Sequence, residues 1–193
     1  MSVATAEDLF VEELKDIYSA ERQAVRAYPR LTKAVESEDL KEALQEHLEQ
    51  TKQQIERLDR VFEILETRAG GKTCEGMKGL LEEASTHAEE IERGPILDAA
   101  LIGALQRVEH YEIAAYGTVA TLAEALEQEE IHQLLGETLQ EEKDTDEKLT
   151  EVASAVNPEV INQGQRDDAQ EEDEEETRAP KRSASKSAKK SRR

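Results

Sequence analysis

Apolar residues recur at steps of three and four along four long segments of the chain, and polar residues fill the positions between them. Because residues at these steps share one face of an α-helix, the pattern predicts four long amphipathic helices. Their predicted bounds are residues 5–35, 38–65, 95–126 and 129–156. The inward positions predicted for the first two helices are Leu9, Leu14, Ile17, Val25, Leu31, Val35, Leu40, Leu44, Leu48, Ile55, Leu58, Phe62 and Leu65.

Residues that start or stop helices mark several of these bounds. Thr5 followed by Asp8 resembles a capping box at the start of the first helix. The pair Gly70-Gly71 stops the second helical pattern, because glycine favours the residue conformation found just past a helix end. Asn157-Pro158 is predicted to end the fourth helix, since proline lacks the N–H that a helix interior requires.

The segment between the second and third long helices has a different pattern. Glycine interrupts it at Gly70, Gly71, Gly76, Gly79 and Gly94, and one short amphipathic helix is predicted from Cys74 to Ile91. Helices joined by a few residues lie antiparallel, so the chain is predicted to form two antiparallel helical pairs linked by a long crossover. This order predicts an all-α, ferritin-like four-helix bundle with a short extra helix, rather than a simple up-and-down bundle.

The two predicted helical pairs also resemble each other in sequence. At an offset of 88 residues, Glu21 aligns with Glu109 and Tyr28 with Tyr116. After a three-residue insertion the offset becomes 91, which aligns Leu40 with Ile131, Leu44 with Leu135, Leu48 with Leu139 and Leu58 with Leu149. Two hairpins related by a pseudo-twofold axis produce such a repeat, although acid-rich amphipathic helices also align by chance.

The chain changes character after the fourth helix, which divides it into a bundle over residues 1–160 and a tail over residues 161–193. The tail has an acidic block at 167–176 and then a run of Lys, Arg, Ser and Ala. Neither part can bury enough apolar surface to offset the entropy of ordering, so the tail is expected to be disordered. Its basic end, residues 178–193, is expected to contact nucleic acid weakly or to fold back on the acidic face of the bundle.

Charge narrows the classes of partner. The formal net charge is −20, and residues 1–160 hold sixteen Lys/Arg against thirty-seven Asp/Glu, a net charge of −21. Such a surface repels nucleic acids and anionic lipids and attracts cations, and it is also typical of proteins adapted to high salt. Cys74, the one cysteine, excludes an intrachain disulfide. With no basic leader and no apolar run long enough to span a membrane, a cytoplasmic protein is expected.

The third long helix carries the clearest candidate chemistry. Its segment 107–118 reads RVEHYEIAAYGT, in which Glu109, Glu112 and Tyr116 follow one another at helical steps on the predicted inward stripe. An unpaired carboxylate buried there costs several kcal/mol, so a compensating arginine or metal ion is expected.

Every other long helix also points polar groups at the middle of the bundle. The predicted metal ligands are Glu21 on the first helix, His47 on the second, Glu109 and Glu112 on the third, and Glu142 and Asp146 on the fourth. Carboxylate oxygens with one imidazole suit iron or manganese, and zinc is compatible with them. Because thirty-seven acids precede residue 161, solvated flanks of the helices are the alternative explanation for each residue taken singly.

The other histidines and two of the tyrosines are not predicted to bind the metal ion. His110 lies one residue off the Glu109 stripe, where it can hydrogen-bond a ligand carboxylate. His87 and His132 are expected on the surface. Tyr28 and Tyr116 are interpreted as core aromatics with a hydrogen-bonded hydroxyl rather than as redox groups.

Five stretches in the same order give the chain a family resemblance: YSAERQ at 18–23, EHLEQT at 46–51, KTCEGMKGL at 72–80, RVEHYEIAAYGT at 107–118 and EEKDTDEKL at 141–149. Together they resemble the YciE/YciF family of ferritin-like stress-response proteins over about residues 5–156. The resemblance implies a helical bundle with a long crossover, often dimeric, with a role in bacterial and archaeal stress responses.

Ferritin-like dimetal enzymes supply one Glu from each of two helices and a Glu-x-x-His element from each of the other two. Glu21 and Glu109 match the single carboxylates, whereas Glu142 is followed three residues later by Thr145, and no histidine stands in either expected place. His47 is therefore the one inward imidazole that the pattern offers.

The sequence leads to a metal-binding stress-response protein as the first hypothesis. If the site is redox active, the expected reaction is oxidation of the bound metal by oxygen or peroxide. The half with Glu109, Glu112 and Glu142 is expected to bind its ion more tightly than the half with Glu21 and His47. Two alternatives stay open: a metal-free bundle whose buried polar network fixes helix pairing, and a protein that binds DNA or acidic partners through its tail.

Overall fold

The protein, seen in a computed structural model, is described over residues 3–178, with side chains described as far as residue 162. Five α-helices form this part of the chain: α1 (Ala6–Ala34), α2 (Glu38–Ile64), α3 (Glu75–Glu90), α4 (Pro95–Ala125) and α5 (Glu129–Arg178). The starts of all four long helices lie within one residue of the predicted ones. The described residues include no strand, which confirms the all-α prediction.

Side chains that satisfy free backbone N–H groups explain where the helices begin. The hydroxyl of Thr5 accepts from the N–H of Asp8 at 3.1 Å, and the Asp8 carboxylate accepts from the N–H of Thr5 at 3.2 Å. The capping box predicted at the start of α1 is therefore confirmed. Ser37 caps α2 in a similar way, and the Cys74 thiol accepts from the N–H of Met77 at the start of α3.

The end of the last helix was predicted wrongly, because α5 continues through Pro158 to Arg178. Proline removes one backbone hydrogen bond, but eleven of the twenty residues after it are Glu, Gln or Arg, which favour helix without needing a core. Contacts between residues divide the chain into two units, Met1–Val160 and Ile161–Arg193. Residues 161–178 are helical, and residues 179–193, with the expected contact of the basic end to nucleic acid, lie outside the described residues.

The four long helices pack as two antiparallel pairs. Residues near the start of α1 share a core with residues near the end of α2, and the end of α1 shares another with the start of α2. The crossover helix α3 packs on α1 and α4 through a small cluster of Ala20, Cys74, Met77, Leu81 and Val108. This arrangement confirms the ferritin-like bundle with a long crossover and a short extra helix.

The interior of the bundle is built as two apolar cores with a polar layer between them. One core includes Tyr28, Leu31, Leu40, Leu44, Leu101, Leu105, Leu149 and Val152. The other includes Phe10, Leu14, Ile17, Leu58, Phe62, Val119, Ile131 and Leu135. The predicted core position Leu9 is exposed, and Phe10 takes the buried place beside it, because the stripe at the start of α1 is rotated by one residue.

Among the described residues, no helix is long and apolar enough to span a membrane.

Candidate metal centre

Four buried side chains from three helices meet in the polar layer. His47 comes from α2, Glu109 and Glu112 from α4, and Glu142 from α5. Each offers one nitrogen or oxygen atom, and these four atoms all lie within 4.8 Å of one another. All four residues are at most 3% exposed. A single ion placed among them would therefore contact several ligands at once.

The polar atoms of this cluster lack hydrogen-bond partners. Both carboxylate oxygens of Glu109, Glu112 and Glu142 are unpaired in the described part of the chain, as is Nε2 of His47. Buried polar groups are nearly always paired, and each one left unpaired costs on the order of 1–3 kcal/mol. So many orphan atoms converging on one point fit a bound cation that completes their coordination.

The imidazole of His47 is oriented for this role. Its Nδ1 lies 3.3 Å from the hydroxyl oxygen of Thr145, and that hydroxyl donates to the carbonyl oxygen of Glu141 at 3.0 Å. In the tautomer that matches this hydroxyl, Nδ1–H donates to Thr145 and a lone pair is left on Nε2. Nε2 lies 3.3 Å from Oε1 of Glu109 and 4.0 Å from Oε2 of Glu142. Acceptors that face each other this closely require a cation or a proton between them.

Burial alters the titration of every member of the cluster. Loss of solvent, followed by the charge of Glu142, raises the pKa of Glu109 well above its usual range. Loss of solvent, followed by the charge of Glu21, does the same to the pKa of Glu112. Loss of solvent raises the pKa of Glu142 to about 7 and lowers the pKa of His47 to about 4. A neutral imidazole is the form that binds a metal, and a bound cation would stabilise the ionised carboxylates.

Glu21 lies in the same polar layer but outside the group of four. It is fully buried, and one of its oxygens accepts a hydrogen bond from the hydroxyl of Tyr116 while the other has no partner among the described residues. Burial, with the charge of Glu142 as the next cause, raises the pKa of Glu21 well above its usual range. The structure groups His47 with Glu109, Glu112 and Glu142, because its imidazole faces α4 and α5.

The two tyrosines differ in their partners. Tyr116 is buried and hydrogen-bonded to Glu21, as its interpretation as a core aromatic requires. The Tyr28 ring lies 5.2 Å from the ring of His47, measured between centroids, and restricts the imidazole. Its hydroxyl is buried without a partner in the described part of the chain, so it adds one more unpaired polar atom to the layer.

Asp146 does not reach the cluster. It is half-buried and accepts from the Gln106 amide at 3.1 Å, and Nε2 of the exposed His110 lies 3.3 Å from its other oxygen. One turn beyond Glu142, α5 has thus carried the carboxylate towards the surface. His87 and His132 were predicted to be exposed, but both are partly buried, and the ring of His132 donates to the carbonyl of Ala120.

Sequence reasoning missed the groups that brace α5 against α2. Arg57 donates two hydrogen bonds to Glu141, at 2.8 and 2.9 Å, and the amide of Gln54 donates to the same carboxylate at 3.1 Å. Glu141 precedes the cluster residue Glu142, so this bidentate pair holds the backbone that positions Glu142. Because Arg57 and Glu141 lie beside the apolar stripes rather than on them, hydrophobic periodicity contains no signal for the pair.

A small surface cavity borders His47 but none of the three carboxylates of the cluster. It has a volume of about 100 Å³ and lies between α2 and α5, where its lining includes His47 and Thr145. The ion pair between Lys148 and Glu46 stands beside it. The imidazole therefore has a polar route towards solvent on its α5 side.

Comparison with known proteins identifies the family of this chain and one of its relatives. The sequence profile of a family described as a domain of unknown function, DUF892, matches residues 5–164. Protein YciF of Escherichia coli K12 is 49% identical over 154 residues, which cover 79% of this chain and 93% of that protein.

Solved structures agree with the sequence matches. The crystal structure of the E. coli stress protein YciF superposes with a TM-score of 0.78 at 48% identity, covering 80% of this chain and 98% of that one. YcfI of Rhodopseudomonas palustris gives a TM-score of 0.75 at 43% identity, covering 77% of this chain and 95% of that one. A Xanthomonas campestris protein at 24% identity has a TM-score of 0.69, covers 83% of this chain and 99% of its own, and supports the fold alone.

Proposed function

This chain belongs to the DUF892 family, and from that premise we propose that it acts in stress protection as a ferritin-like protein that binds iron or manganese inside its bundle. The observation that carries the proposal is the set of orphan polar atoms in the middle of the bundle. Seven nitrogen and oxygen atoms of His47, Glu109, Glu112 and Glu142 have no hydrogen-bond partner in the described part of the chain. A cation would satisfy them together.

The donor set decides the kind of cation. Three carboxylates and one neutral imidazole are hard and borderline ligands, which suit iron or manganese and are compatible with zinc. His47, Glu109, Glu112 and Glu142 would hold the ion, and Glu21 with Tyr116 would stand beside them. Iron or manganese bound here would supply one-electron chemistry with oxygen or peroxide.

The surrounding residues prepare this environment. Thr145 holds His47 in the tautomer that leaves Nε2 free, and the Arg57–Glu141 pair holds α5 in place beside Glu142. The apolar cores on both sides of the polar layer keep bulk water away from the carboxylates. A protected, oxygen-rich site of this kind favours retention of a hard ion.

The proposal includes a cytoplasmic location and a homodimer. The lone buried Cys74 fits a reducing compartment, and the dimer follows from the family resemblance. Protein and small-ion partners fit the acidic surface better than nucleic acid does.

A metal-free structural bundle is the second candidate, and one contact favours it. Tyr116 already donates to Glu21, which is a pairing of a hydroxyl with a buried carboxyl that needs no metal ion. In that case the Glu109→Leu variant keeps or gains thermal stability, because replacing a buried polar group by an apolar one removes an unpaired charge. A metal site instead predicts that this variant loses all stabilisation by added metal ion.

The test compares melting temperatures with and without manganous ion in three proteins. The parent and Asp146→Asn, which lies outside the cluster, should gain stability on addition of the ion. Glu142→Gln should not. Equal stabilisation of all three would show that the ion binds elsewhere, and no stabilisation of the parent would reject the metal site.

A further inference from the structure

A surface pocket of about 370 Å³ lies between α1 and the loop that follows α2. Its lining includes three basic side chains, Arg22, Arg26 and Lys72, and, among the described residues, no carboxylate. The whole chain has 45 acidic residues and 25 basic ones, so a basic lining is the opposite of what the overall composition would give. The pocket is thus a locally positive site within a strongly negative surface.

The two arginines are placed to act together. Arg22 and Arg26 are four residues apart on α1, so their side chains leave neighbouring points on one face. Both are exposed, and neither lies within 4.0 Å of a carboxylate among the residues whose side chains are described. Arg30, the next residue along this face, differs because it is paired with Glu89. The guanidinium of Arg22 lies 5.7 Å from the centre of the Tyr18 ring, which restricts it at the edge of the pocket.

The loop that closes the pocket is fixed to α1. The hydroxyl of Ser19 accepts from the N–H of Cys74 at 3.0 Å, and the amide of Gln23 donates to the carbonyl of Cys74 at 3.1 Å. Gly70 and Gly71 have φ values of 86° and 92°, a region that other residues rarely adopt. The pocket is therefore formed before any ligand arrives, and its glycine wall presents backbone rather than side chains.

Lys72 contributes less charge than the arginines. Its ammonium lies 3.1 Å from Oδ1 of Asp16, which neutralises it in part. The positive charges with no carboxylate within 4.0 Å are thus those of Arg22 and Arg26, whose planar guanidinium groups bind the oxygens of phosphate in pairs.

From this geometry we infer that the pocket binds a small phosphate-bearing organic molecule, with Arg22 and Arg26 on the phosphate and Tyr18 against the rest. The volume is in the range of small-molecule sites and exceeds the size of a bare phosphate. A long polyanion fits poorly, because beyond the pocket it would meet the surface of a domain with net charge −21. The site is separate from the cluster in the polar layer and does not depend on the proposed metal.

Calorimetric titration of the full-length protein at low salt tests the inference with three probes: inorganic pyrophosphate, adenosine monophosphate and adenosine. The two phosphates should bind and adenosine should not. Arg22→Gln and Arg26→Gln should each weaken phosphate binding by about tenfold, since each removes a charge-assisted hydrogen bond. Arg60→Gln is the matched control, because Arg60 is an exposed arginine on α2 that is already paired with Glu63 and Glu130.

Each other outcome overturns the inference. The parent protein could bind the phosphates with a dissociation constant above about 1 mM. The two pocket variants could bind them as tightly as the parent does. Arg60→Gln could lose as much phosphate affinity as the pocket variants lose. Phosphate binding that disappears in Glu142→Gln would place the phosphate at the metal cluster instead. If heparin bound more tightly than the small phosphates and displaced them, the site would be a surface for polyanions. An NMR titration of the parent protein does not depend on whether the variants fold. Pyrophosphate should shift the amide resonances of Gly70 and Gly71, and resonances that do not move would also reject the site.

Discussion

His47 on α2 and Thr145 on α5 are joined through the imidazole Nδ1 and the hydroxyl oxygen, which lie 3.3 Å apart. The Thr145 hydroxyl donates its own proton to the carbonyl of Glu141, so its oxygen can accept from Nδ1–H. Nε2 is thereby left as an acceptor that faces Glu109. Thr145 stands three residues after Glu142, so one turn of α5 supplies a carboxylate to the cluster and orients the imidazole of another helix.

Removal of the Thr145 hydroxyl tests this positioning. Thr145→Val has nearly the same shape but leaves Nδ1–H without its acceptor, so the imidazole is no longer held in one tautomer. We expect affinity for manganous ion to fall by about tenfold, the lower end of the range for loss of a hydrogen-bond partner to a ligand histidine. Calorimetric titration measures the change, with the exposed Thr150→Val as control. Unaltered affinity in Thr145→Val would show that Thr145 does not orient the ligand.

The number of bound ions and their affinities follow from the unequal distribution of the ligands between the two halves of the polar layer. One group of four ligands converges: Glu109, Glu112, Glu142 and His47. Glu21 instead accepts a hydrogen bond from Tyr116. Titration of apo-protein with ferrous or manganous ion should therefore give one tight step, alone or with a much weaker second step. Glu142→Ala should abolish the tight step, and Glu21→Ala should leave it largely intact. Two equal and independent steps would contradict this assignment.

Asp98 is predicted to stabilise the turn between α1 and α2. This buried carboxylate in the first turn of α4 accepts from the N–H of Glu36 at 2.8 Å and from the N–H of Ser37 at 2.7 Å. Asp98→Ala leaves both donors unpaired, so the free energy of unfolding in urea should fall by about 2 kcal/mol. Asp144→Ala, at an exposed position of α5, should change it by less than about 0.5 kcal/mol. A small effect of Asp98→Ala would mean that water replaces the carboxylate without loss.

Asp16 provides a pH-dependent contribution to stability. Burial alone would raise its pKa, but hydrogen bonds from Cys74, Tyr111 and Lys72 outweigh that cause and lower the pKa below its ordinary value of 3.8. A lowered carboxyl pKa means that the folded protein favours the ionised form. The stabilisation is therefore complete above this ordinary value and is lost as the pH falls through the folded-state pKa. Asp16→Asn should be less stable than the parent at neutral pH, and the difference should shrink in acid. A difference independent of pH would show that the charge of Asp16 is not the cause.

The start of α1 could be predicted from Thr5 and Asp8, since a capping box acts within a single turn. The inward places of Glu109, Glu112 and Glu142 also followed, because apolar neighbours on the same stripe fix their direction. Asp146 could not be placed in this way, since whether a residue one turn further reaches the centre depends on how α5 is rotated against α4. The link between His47 and Thr145 joins residues 98 positions apart and has no counterpart in a periodic pattern.

We propose that the buried carboxylates and His47 hold a metal ion, and the metal content of the protein shows whether they do. Parent protein and Glu109→Gln would be loaded anaerobically with ferrous ion, freed of unbound metal by desalting and measured by elemental analysis. We predict that the parent retains at least one iron per chain and that Glu109→Gln retains much less. A parent protein that emerges without metal, or a variant that retains as much iron as the parent, would contradict the account.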